Sequence, residues 1–171
     1  MIVRLAEGNL KTKYGQFDEK LYYDGQKEAI VMSMGDLKGA EEVLCRVHSS
    51  CLFGHYFNSI ECDCQEQMDI SMQLIQQAGQ GVIILLDQEG KGNGHFALLN
   101  SVHYKRQGIA QADAYEAAGF QKDARNFSAA AKILQDLGLG SIRMLTNNPK
   151  KVETLVQHGI SVSGTKEIKL H

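Results

Sequence analysis

Two cysteines separated by one aspartate are the first feature of the sequence that could do chemistry. Cys62 and Cys64 lie two residues apart, and Cys51 lies eleven positions upstream across a segment that can fold back onto them. In an extended backbone, residues i and i+2 point the same way, so both thiolates of the pair could reach one ion. Zinc binds thiolates readily, and three protein ligands leave a fourth position for water. The spacing therefore predicts a catalytic zinc site.

Two other interpretations of the cysteines stay open. The thiols could be buried and behave as small apolar side chains. Alternatively, Cys45 could join the other three in a closed, structural four-thiol site. The spacing differs from that of paired C-x-x-C zinc ribbons and from the zinc deaminase signature.

Two further segments could bind anions. A polar, glycine-rich loop covers residues 87–95, where the backbone is free to approach a ligand closely. Further along, Pro149 follows Asn148 and can be the first residue of a helix that this asparagine caps. The free N–H groups of that helix start, with Lys150 and Lys151 beside them, predict a phosphate or carboxylate site.

Asp123 and Arg125, an acidic and a basic residue two positions apart, are a further candidate for catalysis or phosphate binding. A guanidinium is protonated in almost every protein, so residue chemistry favours a phosphate clamp for Arg125, with Asp123 orienting it or acting as a base. This needs a turn, because residues two apart do not face each other on a helix. The alternative is a surface ion pair that caps the following helix.

The elements that must position these residues form an α+β fold, α/β-like in its second part. Residues 1–34 predict N-terminal β-hairpins, since turn signals at Tyr14–Gly15 and Asp24–Gly25 break short apolar runs. A mixed β-sheet core with flanking helices should follow. Strands are predicted over 42–48, 81–86 and 141–146, and helices over 65–78, 98–107, 127–137 and 149–158.

The composition indicates one domain over residues 1–171, since 43% apolar residues suffice for a core. A formal net charge of -2 gives no basic field for nucleic acid. The sequence has neither the apolar run of a signal peptide nor one of roughly 20 residues that could span a bilayer. We therefore expect a cytoplasmic protein with no membrane partner, in which thiols stay reduced.

Five segments together resemble the GTP cyclohydrolase II family. Each segment alone is a weak signal, but the five occur in the family's order and at close to its spacings between about residues 40 and 165. No dihydroxybutanone-phosphate synthase segment precedes them, so the resemblance is to the stand-alone form. The segments are Arg46–Cys51, Cys62–Gln67, Gln88–Gly90, Asp123–Phe127 and Leu145–Lys151.

The resemblance implies a zinc-dependent hydrolase of riboflavin synthesis that opens the imidazole ring of GTP at C8. Pyrophosphate and formate would be released, leaving a diaminopyrimidinone ribosyl phosphate. It implies zinc on the three cysteines, magnesium with the phosphates, a homodimer, and catalytic roles for Asp123 and Arg125, with Arg125 attacking the α-phosphate. The implied nucleotide contacts are Arg46, Val47, His48, Ser49, Ser50, Gln67, Glu89, Gly90, Lys91, Thr146 and Lys151.

The sequence departs from the family near the predicted site. Ser50 stands where glutamate is usual, His55 where aspartate is usual, and Lys91 where arginine is usual. Lysine keeps the charge but loses the planar fork that matches phosphate. This pattern is typical of a paralogue with another purine nucleotide substrate or another product. The alternative from a different class is a zinc-stabilised nucleotide-binding protein without turnover.

One departure concerns the product. The family carries a tyrosine between the glycine-rich loop and the Asp-x-Arg motif, implicated in the water attack that completes formate release. An ungapped alignment places Val102 there, whereas an insertion and a compensating deletion would make Tyr104 the catalytic equivalent. Valine can neither orient a water nor transfer a proton. With Val102 at that position, the product would be a formylamino-pyrimidine nucleotide.

Overall fold

A seven-stranded mixed sheet organises the chain. The structure, a computed structural model, describes all residues from 1 to 171. The strand order is β1-β2-β3-β5-β4-β6-β7. The strands are β1 (Val3–Thr12), β2 (Gly15–Tyr23), β3 (Glu28–Met34), β4 (Val43–Ser49), β5 (Gly81–Leu86), β6 (Ile142–Leu145) and β7 (Val162–Lys166).

Six helices accompany the sheet, and the predicted α+β class is confirmed. The helices are α1 (Leu52–His55), α2 (Cys64–Ala78), α3 (His95–Arg106), α4 (Gln111–Ala117), α5 (Ser128–Asp136) and α6 (Pro149–Gln157). Three elements are absent from the sequence prediction, namely the four-residue helix α1, the seven-residue helix α4 and the five-residue edge strand β7. All three are too short for their apolar periodicity to be distinguished from a loop.

The sheet has an antiparallel half and a parallel half. Strands β1, β2, β3 and β5 pair antiparallel, and the predicted turn at Gly15, where φ is +105°, closes the first hairpin. Strands β5, β4, β6 and β7 pair parallel. The carboxyl ends of β4, β5 and β6 therefore lie at one edge of the sheet, and in open sheets with parallel strands that edge is where ligands bind.

Apolar cores cover both faces of the sheet. In β5, Val82 and Ile84 belong to a cluster of 19 buried residues that includes Ile133 of α5, whereas Ile83 packs with Ile75 of α2 on the other face. Successive strand residues point to opposite faces, which explains the continuous apolar run of this strand. No helix of the structure is both long enough and apolar enough to cross a bilayer.

Candidate active site

A cleft of about 1490 Å³ lies at the carboxyl edge of the parallel strands. The segment after β4 brings Cys51 to it, the loop after β5 brings Glu89 to Lys91, and the start of α6 after β6 brings Lys151. Arg125 borders the same cleft from the segment that precedes α5. Three of the sequence motifs thus meet because their parallel strands end side by side.

The three predicted cysteines converge in this cleft. Cys51 directly precedes α1, Cys62 follows a turn at residues 60 and 61, and Cys64 is the first residue of α2, so the pair does not have the extended backbone that the sequence argument assumed. The three sulfurs lie within 4.8 Å of one another. The Cys51 and Cys62 sulfurs are 3.8 Å apart. Two thiolates about 2.3 Å from a tetrahedral zinc stand about 3.8 Å apart, so the cluster fits that ion.

The thiols of the cluster share their protons unequally. The pKa of Cys51 falls to about 5, chiefly because the Cys64 thiol hydrogen-bonds to it, and the pKa of Cys64 rises for the same reason. Cys45 lies elsewhere, fully buried in the core of the sheet, and burial raises its pKa to about 12. Cys51 is thus the thiol of the cluster that loses its proton most readily, and the fourth cysteine is not part of the cluster.

Glu89 connects the glycine-rich loop to the cysteine loop. Both of its carboxylate oxygens accept from the backbone N–H of Leu52, at 3.2 and 3.1 Å, and this residue immediately follows Cys51. The Nδ1 of His95 lies 3.3 Å from the same carboxylate. The resemblance implies a nucleotide contact for Glu89, but in the structure its side chain holds the backbone beside Cys51.

Arg46 is the centre of a buried hydrogen-bond network on β4. Its Nη1 donates to the Leu145 carbonyl at 3.0 Å, its Nη2 donates to Gln67 Oε1 at 2.8 Å, and its Nε donates to His48 Nδ1 at 3.2 Å. Burial lowers the pKa of Arg46 to about 10, which leaves it charged. Three predicted nucleotide contacts, Arg46, His48 and Gln67, therefore form one unit that borders the cleft.

The same network fixes the proton of His48. Because Arg46 donates to its Nδ1, His48 carries its hydrogen on Nε2, from which it donates to His55 Nε2 at 2.9 Å. His55 in turn lies 3.3 Å from Gln65 Oε1 through its Nδ1. Burial, and then the charge of Arg46, lowers the pKa of His48 to about 2. The ring is therefore a neutral hydrogen-bonding group at any physiological pH.

Asp123 and Arg125 lie in an irregular segment, as their predicted roles require. Arg125 Nη2 and Asp123 Oδ2 are 2.6 Å apart, and Arg125 Nε donates to Asp123 Oδ1 at 3.0 Å. The Arg125 side chain is only 12% exposed and borders the cleft. Asn126 Oδ1 accepts from the N–H of Ser128, the first residue of α5. The side-chain hydrogen bonds between Asp123 and Arg125 stay within the pair, so the pair does not cap this helix.

Two lysines stand beside Arg125. Lys151 is 8% exposed and its ammonium donates to the Val47 carbonyl at 3.2 Å. Burial, followed by the charges of Arg46 and Arg125, lowers the pKa of Lys151 to about 7. Burial and the Arg125 charge also lower the pKa of Lys91. These cations repel one another, so a bound polyanion would stabilise their charged forms.

Some side chains of the cleft lack a partner within the protein. Ser49 Oγ, Ser50 Oγ and Gln88 Oε1 are buried without a hydrogen bond, and all three residues border the cleft. Buried polar atoms are usually satisfied, so a polar ligand is a natural partner for them.

Not every predicted site residue reaches the cleft. Val47 is buried in the core, and Thr146 Oγ1 accepts from Asn148 N–H in the turn before α6. Asp123 contacts the cleft only through Arg125. The Tyr104 ring contacts the ring of His103, which lines the cleft, but Tyr104 itself does not border it. Val102, Gln111 and Tyr115 do border the cleft. Gln111 and Tyr115 lie on α4, a helix that the sequence pattern did not indicate.

The glycine-rich loop packs directly on the Asp123–Arg125 segment, and a substitution at Gly92 tests this contact. A Cβ on Gly92 would lie 2.6 Å from the Ala124 carbonyl carbon, whereas a Cβ on Gly94 would meet nothing within 4 Å. Both glycines have positive φ, +84° and +96°, so alanine at either is strained. We expect Gly92→Ala to displace Arg125 and lower turnover about 100-fold more than Gly94→Ala, the scale of a 1 Å misplacement. Equal turnover rates in the two variants would contradict this packing role.

Comparison with known proteins agrees with the motifs. The GTP cyclohydrolase II family matches residues 3–167. The GTP cyclohydrolase-2 of Streptomyces coelicolor is 39% identical over 165 residues, which are 95% of this chain and 74% of that protein. The GTP cyclohydrolase-2 of Actinobacillus succinogenes is 38% identical over 165 residues, with 94% and 75% covered.

Two longer proteins resemble this chain over part of their length, one in sequence and one in fold. The riboflavin biosynthesis protein RibBA of Chlorobium phaeovibrioides is 37% identical over 164 residues, 95% of this chain and 40% of that protein. The crystal structure of RibBX, a two-domain 3,4-dihydroxy-2-butanone 4-phosphate synthase from A. baumannii, aligns with a TM-score of 0.52. It is 14% identical and covers 99% of this chain and 40% of that one, which is a likeness of fold alone.

The fold, the cleft and these matches define an enzyme of the hydrolase class. The chain belongs to the GTP cyclohydrolase II family. The resemblance inferred from five short motifs is thereby confirmed.

Proposed function

We propose that this protein opens the imidazole ring of GTP by hydrolysis at C8, with release of pyrophosphate and formate, as a zinc-dependent enzyme of riboflavin synthesis. The diaminopyrimidinone ribosyl phosphate is the product. The proposal extends to a single domain over residues 1–171 and to magnesium accompanying the nucleotide phosphates.

One observation carries the proposal, namely that a three-thiol cluster and a group of buried cations share one cleft. Cys51, Cys62 and Cys64 border the cleft together with Arg125 and Lys151. Ring opening needs a nucleophile at C8 near neutral pH, and zinc held by the thiols would supply activated water. Pyrophosphate release needs cations that bind the phosphates. A purine nucleoside triphosphate is one of the few substrates that require both activated water and phosphate-binding cations.

The side chains of the cleft have separate tasks in this scheme. Arg125 binds the α-phosphate through its planar fork, and the two hydrogen bonds to Asp123 hold that fork in place. Lys91 and Lys151 neutralise the remaining phosphate charge. The unpartnered oxygens of Ser49 and Ser50 accept or donate to the guanine base. Thr146 supports these contacts by holding the start of α6, where its Oγ1 accepts from Asn148 N–H, and the Val47 carbonyl supports them by accepting from Lys151.

A homodimer is part of the same proposal. Exposed apolar side chains gather around α1 and the segment after it, where Tyr56 is 74% exposed, Phe57 is 73% exposed and Ile60 is 99% exposed. Apolar surface of this kind usually marks an interface. Light scattering on the purified protein tests the proposed subunit number.

A second candidate differs only in the product. Val102 borders the cleft and Tyr104 does not, which favours an enzyme that stops at the formylamino-pyrimidine nucleotide. Incubation of the zinc-loaded protein with GTP and magnesium, followed by mass spectrometry, separates the candidates. We expect equimolar pyrophosphate and formate. Pyrophosphate without formate would establish the second candidate, and neither product from any purine nucleotide would leave a binding protein without turnover.

A further inference from the structure

The cleft wall contributed by α3 and α4 combines apolar side chains, one buried phenol and, in the last turn of α3, the polar side chains of His103, Lys105 and Arg106. Leu98, Leu99 and Val102 of α3 present no polar side-chain atom to it. Gln111 and Tyr115 of α4 also border the cleft, and they lie four residues apart on the same face of that helix. Tyr115 is therefore the hydroxyl that this wall supplies.

Tyr115 is held rigidly and remains available to a ligand. Its side chain is 1% exposed and is among the largest fully buried ones, and it nevertheless borders the cleft. No hydrogen bond of the structure involves its hydroxyl, which is also not among the polar atoms sealed from solvent without a partner. A buried tyrosine hydroxyl usually finds a hydrogen-bond partner, so a ligand in the cleft is the natural candidate.

The surroundings of the phenol keep it protonated. Burial, and then the negative charges of Glu89 and Cys51, raise its pKa to about 12, while the charge of Arg125 acts in the opposite sense. Its hydroxyl is thus within electrostatic reach of the cysteine loop and of the phosphate-binding arginine. At physiological pH it is a neutral O–H, a fixed hydrogen-bond donor.

We propose that Tyr115 is a catalytic residue of formamide hydrolysis, the step that follows ring opening, and that its O–H donates a hydrogen bond to the formyl oxygen. This inference rests on the proposed function and deepens it. In the step, the oxygen of a water forms a bond to the formyl carbon, and the carbonyl oxygen gains negative charge. The C–N bond then breaks, the leaving nitrogen takes a proton from that water, and an amine and formic acid result. Tyr115 keeps its own proton throughout.

Tyr104 and Val102, the two residues that the sequence alignment offers for this role, do not supply a hydrogen-bond donor to the cleft. Tyr104 lies on α3 with its ring 5.5 Å from that of His103, and it does not border the cleft. Val102 borders the cleft and has no hydrogen-bonding group. The hydroxyl needed for formate release therefore comes from α4, a different helix from the one on which the sequence comparison looks for it.

Tyr115→Phe tests the assignment because the hydroxyl makes no contact that the fold needs. We expect unchanged zinc content, thermal midpoint and pyrophosphate release, since these depend on other residues. Formate release should fall at least about 100-fold, the usual effect of removing one donor to a developing oxyanion. A formylamino-pyrimidine nucleotide should accumulate in its place. Tyr104→Phe is the comparison variant, and it should release formate and pyrophosphate in equal amounts.

Two results would overturn the inference while leaving the proposed function in place. These are equimolar formate and pyrophosphate from Tyr115→Phe, and loss of formate release in Tyr104→Phe alone. A wild-type protein that releases pyrophosphate but no formate would overturn the inference together with the proposed release of formate, and would establish the second candidate. A wild-type protein that binds zinc and releases neither product would instead overturn the proposed function itself.

Discussion

Cys62→Ser is expected to lose the bound zinc and all ring opening of GTP, whereas Cys45→Ala keeps one zinc per chain and most of its activity. Serine cannot offer the thiolate that Cys62 contributes to a cluster whose sulfurs lie within 4.8 Å of one another. Cys45 is fully buried among apolar side chains on β4, away from this cluster. Alanine there leaves only a small cavity. Metal analysis of the purified variants, with a GTP turnover assay, measures both effects.

The comparison with Cys45 decides between two kinds of zinc site. A closed site with four thiols would lose its metal equally in both variants, and its lack of an open position would exclude activation of water. Retention of zinc by Cys45→Ala, with loss in Cys62→Ser, leaves the three-ligand site. A wild-type protein that purifies without zinc and gains no activity with added zinc would contradict both.

Arg125→Ala is expected to abolish pyrophosphate release, with a loss of about 1000-fold or more in turnover, the scale for an arginine that stabilises a transferring phosphoryl group. Arg125→Lys should keep part of the nucleotide affinity, because the charge persists while the fork held by Asp123 is lost. Single-turnover pyrophosphate release and equilibrium binding of GTP separate the two effects.

Arg143 provides the matched control for this experiment. It is an exposed arginine on β6 and does not border the cleft, so Arg143→Ala should leave pyrophosphate release unchanged. Full activity in Arg125→Ala would refute any catalytic or phosphate-clamping role for Arg125. A parallel loss in both variants would indicate a general effect of surface charge.

The strands other than β7, and the set of three cysteines, were predictable from the sequence because their signals are local. The apolar run of β5 and the turn at Gly15 each specify their element within a few residues. The proximity of Cys51 to the cysteine pair also follows from ligand type and spacing. The role proposed from the sequence for Asp123 and Arg125 required a non-helical segment at these two residues. The geometry of that segment depends on its packing against the glycine-rich loop at Gly92.

Other parts of the site could not be predicted, since they depend on contacts between distant segments. Helix α4 is seven residues long, so its two residues in the cleft, Gln111 and Tyr115, carry no periodic signal. The contact of Glu89 with the Leu52 N–H joins segments 37 residues apart. The inward direction of Val102 rather than Tyr104 is set by how α3 packs, which no spacing within the sequence determines.

The two halves of the sheet have an evolutionary consequence. No residue before Arg46 borders the cleft, so the antiparallel hairpins act as a support whose surface can drift without touching the chemistry. The departures from the family, such as Ser50, His55 and Lys91, fall in the segments that follow β4 and β5. Loops on a fixed scaffold can change while the core stays intact. A lineage could thus acquire a new substrate or product by altering a few loop residues, without passing through an unfolded ancestor.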